Sequence, residues 1–300
     1  MGNQVEFHGV ALPVLRGPRI ALLSRWLGVD VVHGHLGPAC RATAWATQAA
    51  RIGTLHLGYK PHQHAKLDGV ICVNAEQVQS LGTYAGQHRL INNWPPQRAV
   101  ARGARCDSLR KLLHIADTAP LVLCTGRLNP IKGMDVLIHA FLSHAPPAAH
   151  LVLLGEGPER ARLAALSAGH PRIHLPGFFW NADELLADVD LYVSASREEA
   201  APLVLLEAMR AGVPIVATTT QGAQHMLAGQ PALLVPPEDS GALGRAISAS
   251  LTSAVAQTDA GLRLRVCYAL ERFDRLAAVH DTLGLYRDVL AQRFNRNVSA

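Results

Sequence analysis

Short apolar runs alternate with longer amphipathic ones along almost the whole chain. Runs at 29–33, 69–74 and 89–92, then at 120–125, 150–154, 172–175, 190–194, 213–218 and 232–235, are rich in Val, Leu and Ile and bounded by Gly or Pro. Continuous runs of this kind predict strands covered on both faces. Between them, 134–143 has apolar residues at three- and four-residue spacing. The segment 158–167 opens with Pro158, which suits a first helical turn, and 203–211 ends at Gly212, a usual helix stop. Strand and helix in repeated alternation predict parallel sheets with helices on both sides. Asn92-Asn93-Trp94-Pro95-Pro96-Gln97-Arg98 interrupts the pattern, because paired prolines force extended backbone and end a sheet. The reading is therefore an α/β chain with one domain at 1–98 and a second, six-stranded and doubly wound, at 99–275. A C-terminal helical segment at 276–300 packs back towards the first; the stretch 262–294 reads as largely helical.

Composition narrows the class. Of 300 residues, 49% are hydrophobic and 17% charged, enough to bury sizeable cores and too apolar for wholesale disorder. No run of ~18 apolar residues predicts a membrane-spanning helix. No basic start followed by an apolar core is seen, so no signal peptide is expected. Five scattered cysteines, Cys40, Cys72, Cys106, Cys124 and Cys267, predict no disulfide framework and point to a reducing cytoplasm. Charge is unevenly spread: residues 1–110 hold 12 Lys and Arg against 5 Asp and Glu, the remainder 16 against 18. The basic excess lies wholly in the first third, which suits two units meeting different partners.

Two segments carry candidate chemistry. The run 121–125 leads into Gly126-Arg127-Leu128-Asn129-Pro130-Ile131-Lys132-Gly133. Ligands of open α/β sheets bind beyond the carboxyl ends of strands, and here that end delivers two cations five residues apart. They suit a diphosphate; the alternative is a turn with two solvated bases. The P-loop pattern and Gly-x-Gly-x-x-Gly are both absent, which argues against a nicotinamide enzyme. The second segment follows 190–194 and contains Glu199-Ala200-Ala201-Pro202-Leu203-Val204, with Glu207 one turn on. Backbone N–H groups at Ala201, Pro202, Leu203 and Val204 are read as facing the strand ends, where an anion docks. Glu207 is placed to accept from a ribose diol and Glu199 from sugar hydroxyls. The alternative is an ordinary amphipathic helix with exposed acids. His56, His62 and His64 cluster, but Tyr59-Lys60-Pro61 interrupts them as a loop would, so no metal site is expected. His33 and His35 read as packing or pocket-wall residues.

These motifs, with the Gly155-x-Gly157 loop, resemble glycosyltransferase family 4 in order and spacing. In the first domain Asp30-Val31-Val32-His33-Gly34-His35, Gly53-Thr54-Leu55-His56, Asp68-Gly69-Val70-Ile71-Cys72-Val73 and Ile91-Asn92-Asn93-Trp94 resemble the same family. His56-Leu57-Gly58-Tyr59-Lys60 looks closest to members acting on lipopolysaccharide or other cell-surface glycans. The resemblance implies the GT-B fold, two Rossmann-like domains facing a cleft, with 1–98 on the acceptor side and 99–275 on the donor side. It implies a retaining, metal-independent transferase that moves a sugar from a nucleotide-sugar donor to a glycan or lipid-linked acceptor. Arg127 and Lys132 neutralise the departing diphosphate, with Gly126 beside them. Glu199 and the backbone after it hold the sugar, Glu207 the ribose, and His56 touches the sugar from the acceptor side, with Tyr59 nearby. Gly155, Gly177, Phe178, Phe179 and Glu184 line the base subsite. No cofactor is implied, and nucleic acid is not an expected partner. The expected location is cytoplasmic, with peripheral contact to the inner face of the plasma membrane through the basic domain.

The chain departs from the family pattern twice. Ala200 replaces the glycine that usually follows the first Glu of the pair, and would be strained if that position needs a positive φ. Met1–Phe7 resembles the family's second strand, so about one βα unit is unaccounted for upstream. A misassigned start, a truncated piece, or a degenerate copy that binds nucleotide sugar without turnover are the alternatives.

Overall fold

The computed structural model describes residues 15–96, 108–180, 184–257 and 263–298. The chain divides into two compact units, Met1–Asn93 with Arg275–Ala300, and Trp94–Asp274. Residues 1–7, Cys106 and the expected 98/99 boundary lie outside the described residues.

The first unit holds a parallel sheet of β1 (Val31–His35), β2 (Ala50–Leu55), β3 (Gly69–Cys72) and β4 (Gln87–Leu90), in that spatial order. The helix Arg275–Val298 packs against β2, β3 and β4. Its polar side chains reach sheet residues far away in sequence. Arg293 donates to Asp68 at 2.9 Å, Arg89 bonds Asp288 at 2.7 Å, and the Tyr286 hydroxyl meets His33 Nδ1 at 2.6 Å.

The second unit holds β5 (Leu121–Thr125), β6 (His150–Leu154), β7 (Ile173–Gly177), β8 (Leu191–Ser194), β9 (Ile215–Thr218) and β10 (Leu233–Val235), all parallel, in the order β10-β9-β8-β5-β6-β7. Alternation along each strand feeds two cores. Leu121, Leu123, Tyr192 and Ile215 enter one face, and Val122, Cys124, Leu191 and Val216 the other. That two-sided burial is why these strands are continuously apolar in sequence. The chain runs outward from β5 to β7 and returns at β8 on the other side of β5. The switch point therefore lies between the carboxyl ends of β5 and β8, where such sheets bind ligands.

Three elements differ from expectation. The helix expected at 158–167 begins at Arg160 (Arg160–Ser167). Pro158 sits in a turn ahead of it, because the Glu159 amide bonds the Leu128 carbonyl at 3.0 Å and ties this loop to the one after β5. The segment 263–270, expected to be helical, has no regular structure. Its groups bond to distant backbone instead: Val266 N–H to Gly212 at 2.7 Å, the Tyr268 hydroxyl to Val213 at 2.9 Å and Arg265 to Val189 at 3.1 Å. Tertiary contacts override its local pattern. The strand expected at 89–92 is β4, displaced to Gln87–Leu90 by its pairing with Gly69–Cys72.

Candidate functional site

The geometry at the switch point is set by glycines. At Gly155 the backbone adopts φ +142°, its N–H bonds the Gly177 carbonyl at 2.8 Å, and a side chain would drive into the Gly126 carbonyl. At Gly133, φ is +59°, and a Cβ would collide with the Ala195 carbonyl. Gly133 thus packs the β5 loop against the chain leaving β8 and starts the helix Met134–His144. Replacing Gly155 with Ala is expected to cost about 1–3 kcal/mol, the usual range for overpacking. It should also part the β5 and β6 loops, detectable as lost ligand protection against proteolysis.

Around these glycines lies a cleft of ≈ 380 Å³. It is lined by seven of the residues singled out in sequence, Gly126, Arg127, Gly155, Phe178, Phe179, Val204 and Glu207, and by three that were not, Thr125, Leu154 and Glu156. Thr125 was legible as the last residue of β5; its hydroxyl pairs with the buried Tyr192 hydroxyl at 3.0 Å. Glu156 stands between the two glycines of the Gly155-x-Gly157 loop and pairs with Arg160 at 3.2 Å.

Lys132 and Glu199 do not line this cleft. Their side chains, both mostly buried, form an ion pair with one another, and the Ser196 hydroxyl donates to Glu199 at 3.3 Å. The Lys132 stem passes over Gly126, within 3.3 Å of where a Cβ would stand, so the ammonium is held next to the cleft floor. Lys132 and Arg127 thus enter the same region from one loop, one side chain paired and the other exposed.

Pro202 caps the helix Leu203–Arg210 from outside, with extended backbone (φ −70°, ψ 107°). It has no N–H, so only Ala201, Leu203 and Val204 of that quartet carry backbone donors. The first bond into the helix comes from Leu205 to the Pro202 carbonyl at 3.1 Å, so the Leu203 and Val204 amides precede the helical ladder. Ala200 is not among the described residues with positive φ, so the missing glycine brings no strain. Gly177 stands behind Glu156, with 2.9 Å between its virtual Cβ and the carboxylate. Glu184 begins the 3-10 turn Glu184–Asp188 and does not line the cleft. Phe178 is exposed and meets Trp180 edge-on at 5.2 Å.

In the first unit, His56 follows β2, and its Nε2 lies 3.0 Å from His35 Nδ1. His35 stacks on His33 at 4.5 Å, and His33 bonds Thr54 as well as Tyr286. Burial, then the neighbouring His35 and His56, pushes the His33 pKa down to about 4; burial also lowers His35 and His56. Tyr59 packs on His64 and Tyr84 in a small apolar cluster with Cys40 and Leu55. Among the described residues no three His, Cys, Asp or Glu side chains gather as a metal ion would require.

Residues 119–253 match the family described as glycosyl transferases group 1. This part of the chain is similar to the group 1 glycosyl transferases. The chain is 33% identical over 187 residues to the lipopolysaccharide core biosynthesis glycosyltransferase LpsE of Rhizobium meliloti (60% of this chain, 53% of the relative). It is 30% identical over 244 residues to the D-inositol 3-phosphate glycosyltransferase of Acidothermus cellulolyticus (73% of this chain, 52% of the relative). The chain thus spans about half the length of these curated relatives. Among solved structures, Anabaena Alr3699/HepE in complex with UDP and glucose superposes with a TM-score of 0.71 at 22% identity, covering 89% of this chain and 81% of that one. The fold is accordingly α/β and of the GT-B type, with two parallel-sheet domains. Among the described residues no helix is long and apolar enough to cross a membrane.

Proposed function

We propose that the chain is a retaining glycosyltransferase that moves a sugar from a nucleoside-diphosphate sugar to a glycan or lipid-linked acceptor in cell-surface polysaccharide or lipopolysaccharide assembly. The observation that carries this reading is that Arg127, Val204 and Glu207 line one cleft at the switch point of the second sheet, with the Lys132 ammonium, paired with Glu199, held beside it. A diphosphate accepts from all the donors, and a ribose diol donates to the Glu207 carboxylate. The base lies against Phe178 and Phe179. Relatives named for lipopolysaccharide core synthesis, and a structural neighbour holding UDP and glucose, support the substrate class.

Chemistry follows from charge. As the glycosidic bond breaks, negative charge develops on the leaving diphosphate, and fixed cations aimed at it stabilise the transition state. In this structure Lys132 is neutralised by Glu199. Donor binding draws the ammonium to the phosphates and leaves Glu199 for the sugar hydroxyls. His56, braced by His35, is assigned a sugar contact. Arg127 and Lys132 supply the positive charge themselves, so the proposal needs no cofactor.

The test is incubation of the protein with a panel of nucleotide sugars and lipid-linked or oligosaccharide acceptors, with the product anomer read by NMR. Transfer with retained configuration is expected. An inverted product would overturn the retaining assignment, and donor binding without transfer or hydrolysis would favour the degenerate-copy reading.

A further inference from the structure

Glu156 lines the cleft together with Arg127 and Glu207 and has no part in the chemistry described so far. Strand order sets where it stands. β8, β5, β6 and β7 lie side by side. The helix after β8 therefore brings Glu207, the loop after β5 brings Arg127, the loop after β6 brings Glu156, and the loop after β7 brings Phe178 and Phe179. Glu156 is thus on the aromatic side of the cleft and Glu207 on the other, with Arg127 between them. Its backbone is fixed: the Gly155 amide bonds the Gly177 carbonyl at 2.8 Å, and the Glu156 carbonyl accepts from the Leu128 amide at 2.9 Å. Arg160 donates to the carboxylate Oε1 at 3.2 Å and, through its other terminal nitrogen, to the Leu175 carbonyl at 2.9 Å. At Gly177, φ is +99° and a Cβ would stand 2.9 Å from that same Oε1, so a side chain there would displace the carboxylate. The Glu156 side chain is 54% exposed, open to a ligand in the cleft.

We propose that Glu156 reads the base of the nucleotide-sugar donor and selects guanine, a role that rests on the nucleotide site of the second unit. A carboxylate is an acceptor only, and the Arg160 bond leaves both its oxygens able to accept. Guanine presents two adjacent donors on its pairing edge, the ring N1–H and the exocyclic amino group, and a carboxylate takes both as a bidentate pair. Uracil offers one N–H between two carbonyls, which would meet the carboxylate oxygen to oxygen. Adenine and cytosine each offer an amino group beside a ring-nitrogen acceptor, which opposes the second carboxylate oxygen. A carboxylate so placed both attracts guanine and repels its competitors.

Calorimetric titration of the protein with GDP, UDP and inosine diphosphate tests it, since inosine diphosphate differs from GDP only in lacking the exocyclic amino group. GDP should bind at least about tenfold tighter than either, the scale of one hydrogen bond to a charged group. In Glu156→Ala the gap between GDP and inosine diphosphate should close to within about threefold, as a double-mutant cycle requires of a direct contact. Glu156→Gln should favour UDP relative to GDP, because the carboxamide offers an N–H to a uracil carbonyl and its oxygen to the ring N–H. A purely structural role would weaken all three ligands alike and overturn the assignment. UDP binding as tightly as GDP, or GDP and inosine diphosphate binding equally to the wild type, would also overturn it and leave the nucleotide site standing. Absence of binding by all three would overturn the nucleotide site itself, and the role of Glu156 with it.

Discussion

Lys132→Ala is expected to lower kcat for sugar transfer by about two to three orders of magnitude, the range seen when one fixed donor to developing negative charge is removed. The expectation follows from where the ammonium sits. Its stem lies over Gly126 at the end of β5, and Glu199 and Ser196 hold its head in place. Stability should fall as well, by about 1–3 kcal/mol, because both side chains are mostly buried and Glu199 loses its cation. Initial rates with saturating donor check the prediction. A variant within tenfold of wild type would remove Lys132 from the mechanism.

Arg110→Ala is expected to destabilise the second unit by about 3–5 kcal/mol, the usual cost of breaking a buried ion pair from one side. The Arg110 guanidinium is buried and donates to the Asp190 carboxylate at 2.6 Å and to the backbone carbonyls of Ala119 at 2.6 Å, Ala116 at 2.8 Å and Asp188 at 3.3 Å. Asp190 in turn accepts from the Leu121 amide at 2.8 Å. The pair therefore ties the turn Leu109–Leu112 to the starts of β5 and β8, the two strands whose far ends frame the cleft. A chain with two units is not expected to melt as one, so the readout is amide exchange at β5 and β8 in the presence of urea. Loss of protection there in Arg110→Ala, with Arg110→Met/Asp190→Asn recovering part of it, is the expected result. Unchanged exchange would mean that the strands do not depend on this anchor.

Arg110 also marks where sequence stops being legible. Nothing within the window Leu109-Arg110-Lys111-Leu112 points to Asp190, 80 residues on. The same distance problem hides the Lys132–Glu199 pair, which spans 67 residues. What could be read was what a local rule dictates. The strands of the second sheet are covered on both faces and so are continuously apolar. The glycines at 126, 133 and 155 stand where positive φ or backbone crowding excludes side chains. Glu207 was legible because a helix after a strand carries a residue one turn in towards the strand ends. The 263–270 segment misled for the converse reason: its apolar spacing suits a helix, but its polar groups find partners on Gly212, Val213 and Val189.

The switch-point cleft of the second sheet is proposed to hold a nucleoside diphosphate between Arg127 and Glu207, with Lys132 beside it. Isothermal titration calorimetry of the protein with UDP and with GDP measures this without needing the acceptor. Saturable one-to-one binding of at least one of them is expected, weakened about tenfold or more in Glu207→Ala, where up to two charge-assisted hydrogen bonds to ribose are lost. No heat with either nucleotide, or equal affinity in wild type and Glu207→Ala, would contradict it.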